Sequence, residues 1–508
     1  MLLSDSLTQS HISGHPTDLA PFIGRSDDLA EVTGLLVTSA CRLLTLFGAA
    51  GIGKTRLAIQ AAVQMRDRFP HGVYLVRLPT VQSHNFLISV LADALDITLP
   101  SRVDSTDYLI DYLQDKELLL ILDQGKQLLG GIPLLSKILQ AAPGVKLLAT
   151  SRAMLSLPDE WVYQVHGLPF AKNIRAANRL RCEAAQLFAA CARQFRHDFE
   201  PTSEALGVAR ICHLVEGAPL AIELAATLTK TMRCAAIADA IEHAIEELSA
   251  IGRQDSTRAM FQVVWQSLAE TEREAFKCLA VFRASFPVAA VEAIYRDLGI
   301  AVREVELEAD RHKPQSSYHQ SLATLAERSL LQVEPDGRYR LHELLRQYAA
   351  EYLEQAPDEM ALVYDAHCTY YTEFVAAHWS GLDGSLQPEA VAALRANFED
   401  IRAAWRWAAA WAKEEKLSRA VRALSLYYQI IGCYQEGVDA IAQALRGLEQ
   451  LSSSAQADKT IALLLLNQGR LYMRLRWLDE AKEAVTQSRE IYERSQPQPQ
   501  RERSAEAD

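Results

Sequence analysis

The 508-residue chain lacks several features that would place it at once. No stretch reaches about 18 uninterrupted apolar residues, so no ordinary membrane-spanning helix is expected. The first twenty residues, MLLSDSLTQSHISGHPTDLA, have neither a basic start nor a sustained apolar core, so no signal peptide is expected and the protein is placed in the cytoplasm. None of the eight cysteines (41, 182, 191, 212, 234, 278, 368 and 433) belongs to a C-x-x-C pair. Most lie in apolar helical stretches such as Phe276-Lys277-Cys278-Leu279, which reads as buried thiols in a reducing compartment rather than a disulfide framework or zinc site. Basic charge is also in deficit. With 52 Lys and Arg against 64 Asp and Glu, the net charge of −12 argues against a wide nucleic-acid-binding face.

What is there is length and a change of pattern along it. A chain of this size exceeds one hydrophobic core and implies several domains. Residues 1–20 are polar and are expected to form a flexible segment. From 21 to 166, short apolar runs alternate with amphipathic stretches. Strands are expected at 41–48, 73–79, 118–123, 146–151 and 162–165, and helices at 54–68, 84–95, 106–115 and 133–141. Near-continuous apolar strands between helices describe a three-layer α/β domain around a buried parallel sheet. The strands then stop. Residues 167–250 read as an Ala/Leu/Glu-rich helical domain. Residues 251–357 read as helices followed by a hairpin at 330–342 turned by Pro335-Asp336-Gly337, the pattern of a winged helix-turn-helix. Residues 358–495 are helical throughout. Leu465, Gly469, Tyr472 and Ala481 match a tetratricopeptide repeat with Gln468 in place of the usual Leu, and a weaker copy surrounds Tyr434. Residues 496–508 are a polar tail.

The chemistry gathers in the α/β domain. GAAGIGKT, residues 48–55, fits G-x-x-x-x-G-K-[ST] between an apolar strand and a helix. Gly48, Ala50, Gly51, Ile52 and Gly53 would wrap phosphates with backbone amides, and Arg56 follows in the helix N-terminus. Lys54 would reach the β- and γ-phosphates and Thr55 would hold Mg²⁺. The apolar run 118–123 delivers Asp123 to the strand's C-terminal edge, where it would hold a magnesium-bound water. Gln124 follows it; glutamine orients water but is a poor base, so hydrolysis would be slow. Arg152 ends the strand LLATSR, where it would sense a γ-phosphate or meet Asp123.

These motifs, in this order, resemble the STAND class of signal-transduction ATPases, in particular the NB-ARC-type core of bacterial transcriptional regulators. FIGR (22–25) resembles the family's motif over the adenine, which implies that Ile23 contacts the base and Arg25 bonds near it. LLLILDQGKQLL (118–129) resembles the family's LLVLDNFEHLL, with Gln124, Gly125 and Lys126 departing from it. GAPLAIELAA (217–226) is similar to GLPLAIELAA, which places Pro219 against the adenine or sugar. Leu341-His342-Glu343 stands where the family has Met-His-Asp, which implies that His342 reaches the β-phosphate of bound ADP. The resemblance further implies the additional-strand sheet order 5-1-4-3-2 and an ATP/ADP-dependent switch. That switch would have an ADP-bound closed resting form and an ATP-favoured open or oligomeric form. It would act on transcription through a missing or separate effector domain. The expected partners are an adenine nucleotide with Mg²⁺, a protein or small-molecule inducer at the helical tail, and further copies of the chain on ATP binding, with no membrane.

Two other readings stay open: a nucleotide-binding scaffold that never hydrolyses, and a direct DNA-binding regulator. Residues 251–355 hold 13 Lys and Arg against 16 Asp and Glu, and LATLAERSLLQ (322–332) offers one arginine, so DNA binding by this chain is not expected.

Overall fold

The computed structural model describes residues 22–78, 84–97, 105–123, 131–157, 159–175, 178–250, 255–298, 317–449 and 455–495. The chain divides into two compact units, one reaching Pro357 and the other formed by the helices beyond it. Among the described residues, no helix is long and apolar enough to cross a membrane.

The first unit begins with α1 (Ser26–Val37), β1 (Leu43–Phe47), α2 (Lys54–Met65), β2 (Val73–Arg77), α3 (His84–Ala94), α4 (Ser105–Gln114), β3 (Leu118–Asp123), α5 (Ile132–Ala141), β4 (Val145–Ser151) and β5 (Glu160–Gln164). The five strands are all parallel and lie in the order β2-β3-β4-β1-β5, the order that the family resemblance implies. Every residue of β3 is buried, which is why its sequence reads as one apolar run rather than as an alternation. β5 lies at the sheet edge, where its partly exposed residues follow no continuous apolar run, and it starts two residues earlier than its sequence suggests. The helix expected over 54–68 finishes as a 3-10 turn at Arg66–Arg68.

Four helices follow: α6 (Glu183–Phe195), α7 (Ala205–Leu214), α8 (Pro219–Thr227) and α9 (Cys234–Ala250). Pro219 occupies the first turn of α8, where its missing N–H costs no helical bond. The winged segment comprises α10 (Ser256–Ser267), α11 (Glu270–Leu279), α12 (Val288–Asp297), α13 (Ser317–Glu327), the antiparallel pair β6 (Leu331–Val333) and β7 (Tyr339–Leu341), and α14 (Glu343–Glu354). Asp255 caps α10 by accepting from the Thr257 and Arg258 amides. Phe286 bridges to Tyr339 through both backbone groups, extending the hairpin by one further extended segment. An aromatic core joins α10 to α14, with Trp265 stacked on Tyr352 at 4.2 Å between ring centres.

The second unit is a succession of helices: α15 (Pro357–Ala377), the single turn α16 (Trp379–Leu382), α17 (Gln387–Ala396), α18 (Phe398–Ala410), α19 (Glu414–Ile430), α20 (Tyr434–Leu448), α21 (Ala455–Leu475) and α22 (Leu478–Ser495). The sequence-marked repeat is the hairpin α21–α22. A Cβ at Gly469 would come within 2.9 Å of Val485 Cγ2, so the glycine is what lets the two helices approach. Gln468, in the usual leucine position, is buried.

Candidate functional site

The loop 48–53 joins β1 to α2 at the C-terminal edge of the sheet. Gly53 caps α2 at φ +93°, a left-handed conformation that a side-chain-bearing residue adopts only with strain. This geometry turns the first amides of α2 toward the space above the edge. Lys54 curls over the loop, its Nζ donating to the Gly48 and Ala49 carbonyls at 2.9 and 2.7 Å. Burial, and then the neighbouring Arg152, push the Lys54 ammonium down to about 8, with Asp123 pulling the other way. An ammonium so disfavoured, bonded among the described residues only to neutral carbonyls, is suited to an anion.

Asp123 lies one strand beyond β4 and is buried at the end of β3. Its Oδ1 accepts from Thr55 Oγ1 and from Thr150 Oγ1, each at 2.6 Å. A hydroxyl and a carboxylate oxygen in contact at a phosphate loop make a hard-oxygen pair that fits Mg²⁺, an ion bound by one or two protein ligands with phosphate and water completing the octahedron. Thr150 precedes the strand-end arginine that sequence singles out. Its role depends on standing beside Asp123, which spacing alone does not reveal.

Arg152 is exposed, and its Nη2 donates to Gln347 Oε1 of α14 at 3.1 Å. Of the two placements expected for it, contact with Asp123 is not formed. Gln124 lies outside the described residues.

A second cluster flanks the loop. Phe22, Ile23, Arg25, Gly53, Arg56, Leu168, Leu187 and Pro219 line a small open cleft of about 20 Å³. This brings together Ile23 and Arg25, Arg56, and Pro219, from three separate segments of the sequence. Arg25 has a left-handed backbone (φ +61°) and an almost fully buried side chain. It pairs with Asp28 at 2.7 Å and donates Nη2 to the carbonyls of Ile52 (2.6 Å) and His166 (2.8 Å), while its amide donates to Glu183 Oε2 at 2.8 Å. Its guanidinium is therefore committed to protein carbonyls and Asp28, so Arg25 shapes the cleft wall. Tyr163 of β5 donates to the other Asp28 oxygen at 2.5 Å. Arg56 pairs with Glu223 of α8 at 3.0 Å, and the Leu220 amide donates to the Gly51 carbonyl at 3.2 Å, so α8 is tied directly to the phosphate loop. Burial raises the Glu223 carboxyl above its ordinary range, against the pull of Arg56. Ile52 is buried beneath the loop, and Gly48, Ala50 and Gly51 complete it.

His342 stands at the N-cap of α14, where its Nδ1 accepts from the Leu344 amide at 3.2 Å. Burial pushes its imidazole down to about 4, with Glu343 and Asp123 opposing and Lys54 and Arg152 adding to the effect. A neutral imidazole whose Nδ1 accepts must carry its proton on Nε2. The winged segment thus brings an Nε2–H donor into the electrostatic field of Lys54 and Asp123.

Arg77 is a charged group at this edge that the sequence motifs do not mark. It ends β2 in register with Asp123. Its charge is felt by Arg340 and Glu334 of the hairpin as well as by Asp123.

A parallel sheet of this order with a phosphate loop on β1, followed by helical, winged and tetratricopeptide-like segments, is the architecture that the STAND resemblance implies. No family model matches the chain. Proteins described as HTH-type transcriptional regulators from Mycobacterium bovis and Mycobacterium tuberculosis are 30 % identical over 378 residues, which is 72 % of this chain and 40 % of theirs. The regulatory protein AfsR of Streptomyces griseus is 27 % identical over 380 residues, 70 % of this chain and 35 % of that one. A solved STAND protein with a tetratricopeptide repeat sensor, from Pyrococcus horikoshii, aligns over 95 % of this chain and 80 % of its own, at 15 % identity and a TM-score of 0.47. The chain is a distant relative of bacterial HTH-type transcriptional regulators, and its matched part spans well under half their length.

The relatives overturn the expectation that DNA binding is foreign to this chain. That expectation rested on the acidic balance of residues 251–355 and the lone arginine in 322–332. Net charge does not decide the matter, because phosphate contacts are made by a few local groups, backbone amides and helix ends included.

Proposed function

We propose that the chain is an adenine-nucleotide-dependent switch that controls transcription. The observation that carries this reading is the convergence, at one sheet edge, of Lys54, the Thr55–Asp123 pair and the neutral His342 of the winged segment.

ADP or ATP with Mg²⁺ supplies concentrated negative charge and oxygen ligands for the cation at this edge. Lys54 would exchange its carbonyl partners for phosphate oxygens. Thr55 and Asp123 would hold the ion and its water. Gly48, Ala50, Gly51, Ile52 and Gly53 offer backbone amides, and Arg56 stands at the start of α2. Ile23 would contact the base and Pro219 the adenine or sugar, beside the cleft whose wall Arg25 shapes. His342 would donate Nε2–H to the β-phosphate, holding the winged segment over ADP in the closed resting form. Arg152, linked to Gln347 of α14, is the group that an additional phosphate would draw away, favouring an open or oligomeric form. Gln124, a poor base, makes hydrolysis slow. Output on DNA, through this chain or a linked domain, accords with the relatives.

The test is release and chromatographic identification of nucleotide from freshly purified protein. Near-stoichiometric ADP is expected. Protein that is empty and binds neither ADP nor ATP with Mg²⁺ sinks the reading.

A further inference from the structure

Glu223 has no part in the reading above, yet it is bonded to the turn of α2 that carries Lys54 and Thr55. Arg56, next in that turn, donates Nη1 to Glu223 Oε1 at 3.0 Å, and each side chain is 25 % exposed. Glu223 stands one helical turn after Pro219, so the two share a face of α8. What holds Glu223 therefore holds Pro219, one wall of the cleft beside the phosphate loop. That cleft, at about 20 Å³, has room for a water molecule, which needs roughly 10–15 Å³. A purine between Ile23 and Pro219 requires the walls to stand farther apart. The Ile23 wall is pinned through Arg25, whose bonds to Asp28, Ile52, His166 and Glu183 run from 2.6 to 2.8 Å. The α8 wall is held to the loop and to α2 by longer bonds, Leu220 to Gly51 at 3.2 Å and Glu223 to Arg56 at 3.0 Å. The wall that gives is α8. Partial exposure suits the ion pair to this task, because water takes over both charges when they part and the cost of opening stays small.

We propose that Glu223 is a positioning residue whose pair with Arg56 latches the Pro219 wall and sets the rate at which nucleotide enters and leaves. The inference rests on the nucleotide reading of the site. The pair is closed while the site is empty and closes again once the nucleotide is seated. It is broken only while α8 stands away from α2 to let the base pass. Removing it lowers the same barrier from both sides, so entry and exit quicken together and affinity stays nearly where it was. A residue that touched the nucleotide would instead change dissociation and affinity together. One that only supported the fold would change the melting temperature with no matched change in the two rates.

The measurement is stopped-flow binding and displacement of a fluorescent ADP analogue with Mg²⁺, in the full chain. Glu223→Ala should raise the association and dissociation rate constants together, each about tenfold, the scale of a lost hydrogen bond to a charged group, with Kd held within about threefold. Glu223→Gln keeps the shape and loses the charge. It should show the same paired acceleration at smaller size, and it guards against an alanine variant that fails to fold. In an Arg56→Gln background, Glu223→Ala should add no further acceleration, because the pair is already broken. A rise in dissociation alone, with Kd rising to match, overturns the latch. Unchanged rates, or accelerations that multiply in the double variant, overturn it too. A chain that binds neither ADP nor ATP brings down the functional reading and the latch with it, whereas a chain that binds ADP with unmatched rate changes brings down the latch alone.

Discussion

The two units of this chain encode their properties at different scales. In the first, single atoms decide. One Asp123 oxygen takes two hydroxyl hydrogen bonds, and one imidazole nitrogen caps a helix. In the second, surfaces decide. Tyr427 is almost fully buried and packs on Phe398 at 5.2 Å between ring centres, and Trp405 donates to the Ala440 carbonyl at 2.8 Å, so aromatic bodies lock α18, α19 and α20 together. The lesson is one of tolerance. A volume-conserving change is mild in the helical unit. At the sheet edge, even an isosteric change that alters charge alters what can bind.

The sharpest way to break this contrast is to damage the helical unit and watch the other. Tyr427→Ala removes a buried aromatic and should cost about 3–5 kcal/mol. A melting transition of the helical unit should move down while nucleotide affinity stays unchanged; a collapse of affinity would show that the two scales are not separate. Next comes Lys54→Ala, expected to weaken nucleotide binding about 100-fold, or about 2.7 kcal/mol, with little change in the melting of nucleotide-free protein. Titration calorimetry checks the first part and scanning calorimetry the second. His342→Ala should then speed ADP dissociation about tenfold, as loss of a hydrogen bond to a charged group would, measured with a fluorescent ADP analogue.

The same histidine gives a pH prediction. Its folded pKa of about 4 lies below its ordinary value of 6.5, so the unfolded chain takes up the proton first. The stability carried by the neutral imidazole is complete above 6.5 and is lost as the pH falls through that value toward about 4. His342→Gln should flatten this part of the melting-temperature profile; an unchanged slope would mean that other groups carry it. The smallest effect is expected from Arg152→Ala. It loses one exposed bond to Gln347 and should change ADP affinity by no more than about threefold while weakening discrimination in favour of ATP.

Legibility in the sequence followed the same division of scale. The phosphate loop could be read because its spacing is local and the strand before it and helix after it are strongly patterned. β3 could be read because complete burial leaves no polar residue within it. His342 and Pro219 are remote from the loop and could be reached only through the resemblance to a family, since no local pattern says that a winged helix returns to a sheet edge. Arg77 could not be read. Its place beside Asp123 lies in the lateral register of β2 and β3, and register is a property of the sheet, not of any one segment. The link from Arg152 to Gln347 escaped for a similar reason, since 195 positions separate them in the chain. In the helical unit, Gly469 was legible from its repeat spacing, whereas the stacking of Trp407 on Tyr364 at 4.8 Å needed the packing of α15 against α18.

Arg25 also has a consequence in time. Its amide is held by Glu183, 158 residues further along the chain. At a ribosomal pace of roughly 5–20 residues per second, Arg25 waits on the order of ten to thirty seconds before its anchor has been made. The phosphate loop and its strand emerge early, but the cleft beside them cannot close until α6 has left the ribosome. A nascent chain would therefore hold a half-built pocket over that interval, and the segment around Arg25 would settle later than the phosphate loop beside it.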